Sequence, residues 1–157
     1  MEEISNRALI GRLFRSAEDQ LEVANIDQND WQSWYKTVQG LTVPEKIVYL
    51  MVKMNQSVTN GGFNEFYSSS MGIFAPELIH VCNEINATAT AEIISSSLPI
   101  VNPNGLLDDE YKDLVFGITL TPQISVALVA QDIRYDQLQD LENLEDLLGN
   151  YLQNSLK

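Results

Sequence analysis

Apolar residues recur at three- and four-residue steps along most of this chain. Ile10, Leu13, Phe14, Ala17 and Leu21 share one helical face, and Arg12, Arg15, Glu18, Asp19 and Glu22 fall between them. Arg15 and Asp19, four apart, are within reach of each other on such a helix. The spacing predicts a helix from about Ser5 to Ala24. Asp27 to Asp30 reads as a turn, with Asp30 placed to cap a short helix that carries Trp31, Trp34 and Tyr35 and ends at Gly40. Thr42-Val43-Pro44-Glu45 is a helix start, with proline in the first turn and an acid beside it. Ile47, Leu50, Met51, Met54 and Val58 continue as a buried stripe. Asn60-Gly61-Gly62 stops it, because Asn and Gly tolerate the left-handed backbone of a helix end. A turn holding Phe63, Phe66 and Tyr67 and a polar, loop-like run from Ser68 to Gly72 are expected next.

Ala75-Pro76-Glu77 opens a second proline-led helix, with Leu78, Ile79, Cys82 and Ile85 on one face. Thr88 to Ser97 reads as a further helix with Ile93, Ile94 and Leu98 inward, and Pro99, Pro103, Asn104 and Gly105 break the chain. Residues 106–121 stay open. The Asp108-Asp109-Glu110 start and the Leu107, Tyr111, Leu114, Val115 spacing favour a helix, whereas Val115 to Leu120 suits a strand. Thr121-Pro122 opens a last helical region, in which Ile133, Leu138, Leu141, Leu144, Leu148 and Leu152 extend the apolar stripe. With no repeat, linker or boundary in view, the pattern predicts an all-α fold, a compact single-domain bundle of about six to eight helices over residues 1–157.

Charge changes this picture more than composition does. The chain has 157 residues, 22 acidic and 9 basic side chains and a formal net charge of −13. Residues 54–156 hold fourteen of the acids and only two bases, Lys112 and Arg134, and no Lys or Arg lies between Met54 and Tyr111. Such an excess of one sign destabilises the compact state by self-repulsion and makes direct binding to nucleic acid or anionic lipid unfavourable. The start, Met-Glu-Glu-Ile, is acidic where a secretory signal is basic. The most apolar stretch, Ile124 to Ala130, is far shorter than the ~18 residues of a membrane span. A cytoplasmic protein without membrane association is expected.

Catalytic chemistry finds little support. Glu77, His80 and Glu84 share a helical face and resemble half of a di-iron carboxylate site, but that site needs a second histidine motif and His80 is the only histidine. Cys82, the only cysteine, sits on an apolar face without the cationic neighbours that activate a thiol. The serine runs at 68–70 and 95–97 lack a nucleophile-elbow context and read as a loop and a polar helix face. Gly61-Gly62 lacks a phosphate-loop framework. No enzyme, no metal site and no cofactor is expected.

The acids of the last third form the clearest pattern. Asp132, Asp136 and Asp140 are four apart, which on a helix lines one face at roughly 6 Å per step. That step is comparable to the distance between neighbouring phosphates on a DNA strand. Glu142, Glu145 and Asp146 continue the charge round the same expected helix, and Asp108, Asp109 and Glu110, with Asp113, form a second cluster. No lysine is placed to offset them.

Pro44-Glu45-Lys46-Ile47-Val48-Tyr49, leading into Asn60-Gly61-Gly62-Phe63 and then Glu65, Phe66 and Tyr67, resembles a small bacterial family of otherwise unknown function that contains an acidic DNA-mimic protein. Ala75-Pro76-Glu77 and the tail Glu145 to Leu152 are also similar. The resemblance covers about 44–98, with a weaker echo at about 127–152; Thr59 and Asn64-Glu65 depart from its pattern. It implies an all-helical fold and a structural role for Asn60, Gly61, Gly62 and Phe63 as a cap and aromatic anchor. For one branch it implies sequestration of a DNA-binding protein by an anionic surface.

Together these readings predict a non-enzymatic acidic interaction protein that imitates duplex DNA. Its partner would be a basic DNA-binding protein, contacted through Asp132, Asp136, Asp140, Glu142, Glu145, Asp146 and Asp108 to Glu110. The alternative is an immunity-type inhibitor of a cationic toxin or nuclease, anchored by Trp31, Trp34 and Tyr35. A metal-dependent enzyme at Glu77, His80 and Glu84 ranks third. The oligomeric state stays open, a homodimer included.

Overall fold

The computed structural model describes residues 4–26 and 29–156. Asp27, in the expected turn, lies outside them, as does Gln28. Among the described residues there are eight α-helices and one short 3-10 turn, and no strand. The helices are α1 (Asn6–Ala24), α2 (Trp31–Gln39), α3 (Val43–Ser68), α4 (Ala75–Glu84), α5 (Thr88–Val101), α6 (Asp108–Val115), α7 (Pro122–Leu138) and α8 (Leu144–Ser155). The fold is all-α. No helix is long and apolar enough to cross a membrane. The contacts group into two compact units, residues 4–52 with 143–156 and residues 53–142.

In the first unit, local capping starts each helix. The Ser5 side chain accepts from Ala8 N, and Asp30 accepts from Gln32 N at 2.8 Å. Thr42 and Glu45 form a reciprocal pair: Thr42 N and Oγ1 donate to Glu45 Oε1 at 3.1 and 2.7 Å, and Glu45 N donates back to Thr42 Oγ1 at 3.3 Å. The other carboxylate oxygen of Glu45 accepts from Ser16 Oγ and from Gln20 Nε2 of α1. These donors hold the buried Glu45 carboxyl below the usual glutamate range: the Ser16 bond acts most strongly, against the opposing effect of burial, and the Thr42 and Gln20 bonds add to it. α1 also packs on α8, where Gly149 admits the Asn6 side chain. Asn6 Nδ2 donates to Asn150 Oδ1 at 3.2 Å there.

In the second unit the core gathers around Phe63, Phe66 and Tyr67, all fully buried. These residues are helical and do not form a turn. Gly61 and Gly62 leave helical geometry, and the chain re-enters a helix at Phe63. The expected loop at 68–72 is also more ordered: Ser70, Met71 and Gly72 are buried, and Met71–Phe74 forms the 3-10 turn that feeds α4. Tyr111 Oη donates to Gly72 O at 2.6 Å, and Tyr67 Oη pairs with Ser97 Oγ at 2.6 Å. Ser97 therefore belongs to the interior and not to a polar face. α5 runs through the exposed Pro99 to Val101. Residues 106–121 resolve as α6 followed by a non-helical segment in which Gly117 has φ 70°.

The last helical region is not continuous. α7 stops at Leu138, residues 139–143 turn, and α8 starts under an Asn143 cap whose Oδ1 accepts from Asp146 N at 3.0 Å. Ile133 and Leu141, expected in the buried stripe, are 54 % and 85 % exposed, whereas Leu138, Leu148 and Leu152 are buried.

Candidate acidic interaction surface

Two helices of the second unit begin at residues that cannot cap themselves. The segment after the kink starts at Gly62, which has no side chain, and α5 starts at Ala87, whose methyl accepts nothing. An uncapped start leaves amides without partners, and an acid placed there is favoured by the helix dipole as well. In both cases a remote carboxylate supplies the acceptor. Asp132 of α7 accepts from Phe63 N at 2.7 Å. Glu142, in the turn after α7, accepts from Ala89 N at 3.1 Å, Thr90 N at 3.0 Å and Thr90 Oγ1 at 2.6 Å. Tyr135 braces the same arrangement: its Oη donates to Asn55 Oδ1 at 2.5 Å and its ring meets Phe63 edge-on at 6.1 Å.

These contacts sort the nine acids expected at the surface. Asp132 and Glu142 are partly buried and engaged inside the second unit. Burial pushes the Asp132 carboxyl above the ordinary aspartate range; the Phe63 amide opposes that shift and the charge of Asp136 adds to it. Asp136 and Asp140 are exposed, but Asp140 lies beyond the end of α7, so the expected helical row of three does not exist. Asp108, Asp109 and Glu110 are exposed in the first turn of α6, where the unpaired amides favour acids. Glu145 and Asp146 belong to the first turn of α8, a separate helix in the other unit. Glu145 accepts from Arg7 Nε at 3.4 Å; that ion pair is solvent-exposed and worth little.

The remaining candidates also find places. Asn60 and Gly61 are exposed at the kink, and Phe63 is its buried aromatic anchor. His80 and Glu84 are exposed on α4, with Glu77 half-buried. Among the described residues no group of three or more His, Cys, Asp or Glu side chains is placed to hold a metal ion. Cys82 is buried, and burial together with the Glu142 charge pushes its thiol up to about 12. Trp31 is buried and packs edge-on against Tyr35, and the half-buried Trp34 donates to Tyr49 Oη at 3.0 Å. These rings serve the first unit's interior. An open groove of about 420 Å³ between α4 and α5 is lined by Ile79, Asn83, Thr88 and Glu92 among others. Its one carboxylate, Glu92, pairs with Arg134 at 3.4 Å.

Two features escaped the sequence reading, and each left a trace. A Gly-Gly break with a helix beyond it needs an acceptor from elsewhere, which the expected turn at Phe63 concealed. The uncharged run Ile124–Ala130 places apolar groups all round a helix, and Val126, Val129 and Ile133 of α7 are indeed exposed.

The capping role of Glu142 is testable. Glu142→Ala is expected to destabilise the protein by about 1–3 kcal/mol, since it strands two helix-start amides and a buried threonine hydroxyl. The measurement is the urea midpoint, and Asp140→Ala, exposed two residues away, should shift it by under ~0.5 kcal/mol.

No curated protein and no solved structure matches the chain. A family model described as DMP19-like protein matches residues 39–155, which takes in the kink, both remote caps and the nine acids expected at the surface. The chain belongs to the DMP19-like protein family.

Proposed function

We propose that this protein is a non-enzymatic decoy for duplex DNA, sequestering a basic DNA-binding protein through carboxylates that stay exposed once folding has used the others. The observation that carries the reading is the set Asp136, Asp140, Asp108, Asp109 and Glu110. All are exposed in a unit that holds only Lys53, Lys112 and Arg134 as counter-charges. Duplex DNA presents one negative charge per ~1.7 Å of axis, and a basic protein surface built for that field is attracted by carboxylates held on a helical frame. The attraction is electrostatic, so association is fast and falls steeply with salt.

Asp132 and Glu142 drop out of the contact set because their oxygens already accept amides; changing them tests folding and not recognition. The discriminating variants are Asp136→Asn with Asp140→Asn, and Asp108→Asn with Asp109→Asn and Glu110→Gln. The assay is displacement of fluorescent duplex DNA from a basic DNA-binding protein at several salt concentrations. Each variant is expected to compete roughly tenfold less well at low salt, about 1.4 kcal/mol, and to show a flatter salt dependence. Competition that ignores salt, or that both variants retain in full, rejects the proposal.

A further inference from the structure

The dipeptide Asn-Gly occurs twice in the chain, at Asn60-Gly61 and Asn104-Gly105, and both asparagines are exposed. Asparagine is thermally labile because the next backbone nitrogen can attack its side-chain carbonyl carbon. A glycine in that next position speeds the attack, since no Cβ screens the nitrogen. The two copies are chemically alike, so their surroundings decide which of them reacts.

Asn60 lies in the helical part of α3, where helical geometry is lost only at Gly61 and Gly62. Its ψ is thereby held in the helical range, and the Gly61 N–H is directed at the preceding turn. Ring closure would have to rotate that ψ out of the helix. The Glu65 side chain also lies over Gly61, where an added Cβ would meet Glu65 Cβ at 2.6 Å. Asn104 sits instead at the tip of the loop between α5 and α6. Residues 102–105 form a turn with Pro103 second, Asn104 third and Gly105 fourth. The attacking nitrogen gives up a single long bond, Gly105 N to Asn102 O at 3.2 Å. Among the described residues the Asn104 side chain has no hydrogen-bond partner, and no atom lies within 4 Å of a carbon added at Gly105. Below the tip, Asn102 Nδ2 donates to Leu106 O at 2.9 Å, and Leu106 N donates back to Asn102 Oδ1 at 3.0 Å. That clamp fixes both flanks and confines any change to the tip.

We propose that Asn104 is a self-modifying position, converted through a cyclic imide to aspartate and isoaspartate in the folded protein, while Asn60 is protected. Gly105 N loses its proton to solvent and attacks Asn104 Cγ. The Cγ–Nδ2 bond then breaks, and the amide nitrogen leaves as ammonia, taking up a proton in place of the one Gly105 lost. Water opens the resulting five-membered ring. Cleavage between Cγ and the glycine nitrogen gives aspartate, and cleavage at the main-chain carbonyl gives isoaspartate. Overall one water is consumed and one ammonia released, with no oxidant or cofactor. Each conversion makes the net charge one unit more negative than −13 and puts the new carboxylate in the loop before Asp108, Asp109 and Glu110. A gain in competition for a basic partner rests on the proposed function; the chemistry at Asn104 does not.

Incubation of the full chain in warm, mildly alkaline buffer, followed by peptide mapping in a mass spectrometer, tests this. Trypsin leaves both asparagines in one peptide, 54–112, so chymotrypsin is used to part them. In the native protein Asn104 is expected to convert at least ~tenfold faster than Asn60, because opening the helix adds to the barrier at Asn60. In urea the two rates should come within a factor of about three, since the unfolded chain frees both sites alike. Asn104→Gln, which would need a larger ring, should remove most of the more acidic species that anion exchange separates from aged native protein. Native Asn60 reacting as fast as Asn104 overturns the proposal. So does an Asn104 that stays intact in the native protein while the unfolded chain converts. The aged acidic fraction then enters the DNA-displacement assay, where stronger competition than that of fresh protein is expected. Unchanged competition despite conversion at Asn104 counts against the proposed function and leaves the chemistry standing.

Discussion

Gly62→Ala is expected to destabilise the protein by roughly 3–5 kcal/mol. Two costs act at one position. Gly62 has φ 71° and ψ −168°, a region essentially closed to residues with a Cβ, which costs about 1–3 kcal/mol. The added Cβ would also sit 2.7 Å from Asp132 Cγ, displacing the carboxylate that accepts Phe63 N. That leaves a buried amide unpaired at about 1–3 kcal/mol more. Gly105→Ala separates the two contributions. It too has positive φ, 65°, but no atom lies within 4 Å of the added carbon, so about 1 kcal/mol is expected. In a double-mutant cycle the cost of Gly62→Ala should shrink in the Asp132→Ala background, because the displaced acceptor is already gone. Urea unfolding followed by far-ultraviolet circular dichroism measures all of these. Additive costs would show that the Gly62 and Asp132 contacts are independent.

Glu45→Ala is expected to cost about 2–4 kcal/mol at neutral pH, because it removes both a reciprocal helix cap and the acceptor for Ser16 and Gln20. Its pH dependence has a definite sign. The folded-state pKa of Glu45 is lowered from 4.5, so its stabilisation is fully present above that value and is lost as pH falls through the folded value. The stability difference between wild type and Glu45→Gln should therefore be flat from about pH 8 to 5 and shrink below 4.5. Both tryptophans, Trp31 and Trp34, lie in the first unit with Glu45, so tryptophan fluorescence is the probe. Asp132 acts in the opposite sense. Its folded pKa is raised, so its contribution is greatest at low pH and declines as pH rises through that value. A difference that grew on acidification would overturn the assignment for Glu45.

Features that depend on neighbours in the chain were legible from the residues. Ser5, Asp30, the Thr42–Glu45 pair and Thr121 all cap the helices they precede, because an N-cap side chain reaches only two or three residues forward. Apolar periodicity correctly marked Leu78, Cys82, Ile93 and Ile94 as interior. It failed at Ile133 and Leu141, where the same spacing continued on to exposed surface. A periodic stripe shows that a face is apolar without showing what packs on it. The row of Asp132, Asp136 and Asp140 failed for a related reason: it assumed one helix through residue 140, and the chain instead turns after Leu138, placing Glu142 at the start of α5.

The sequence by itself determined the all-α fold, the helix starts and the heavy negative charge, since local backbone preferences and composition carry these. Only the tertiary structure decided which acids remain available. A carboxylate is free or engaged according to whether an unpaired amide from a distant segment reaches it. For Asp132 that amide is 69 residues away, and for Glu142 the two amides are 53 and 52 residues away. A Gly-Gly break shows that an acceptor is needed, but the spacing of the acids does not say which of them supplies it, because the long-range packing of the second unit brings the two together.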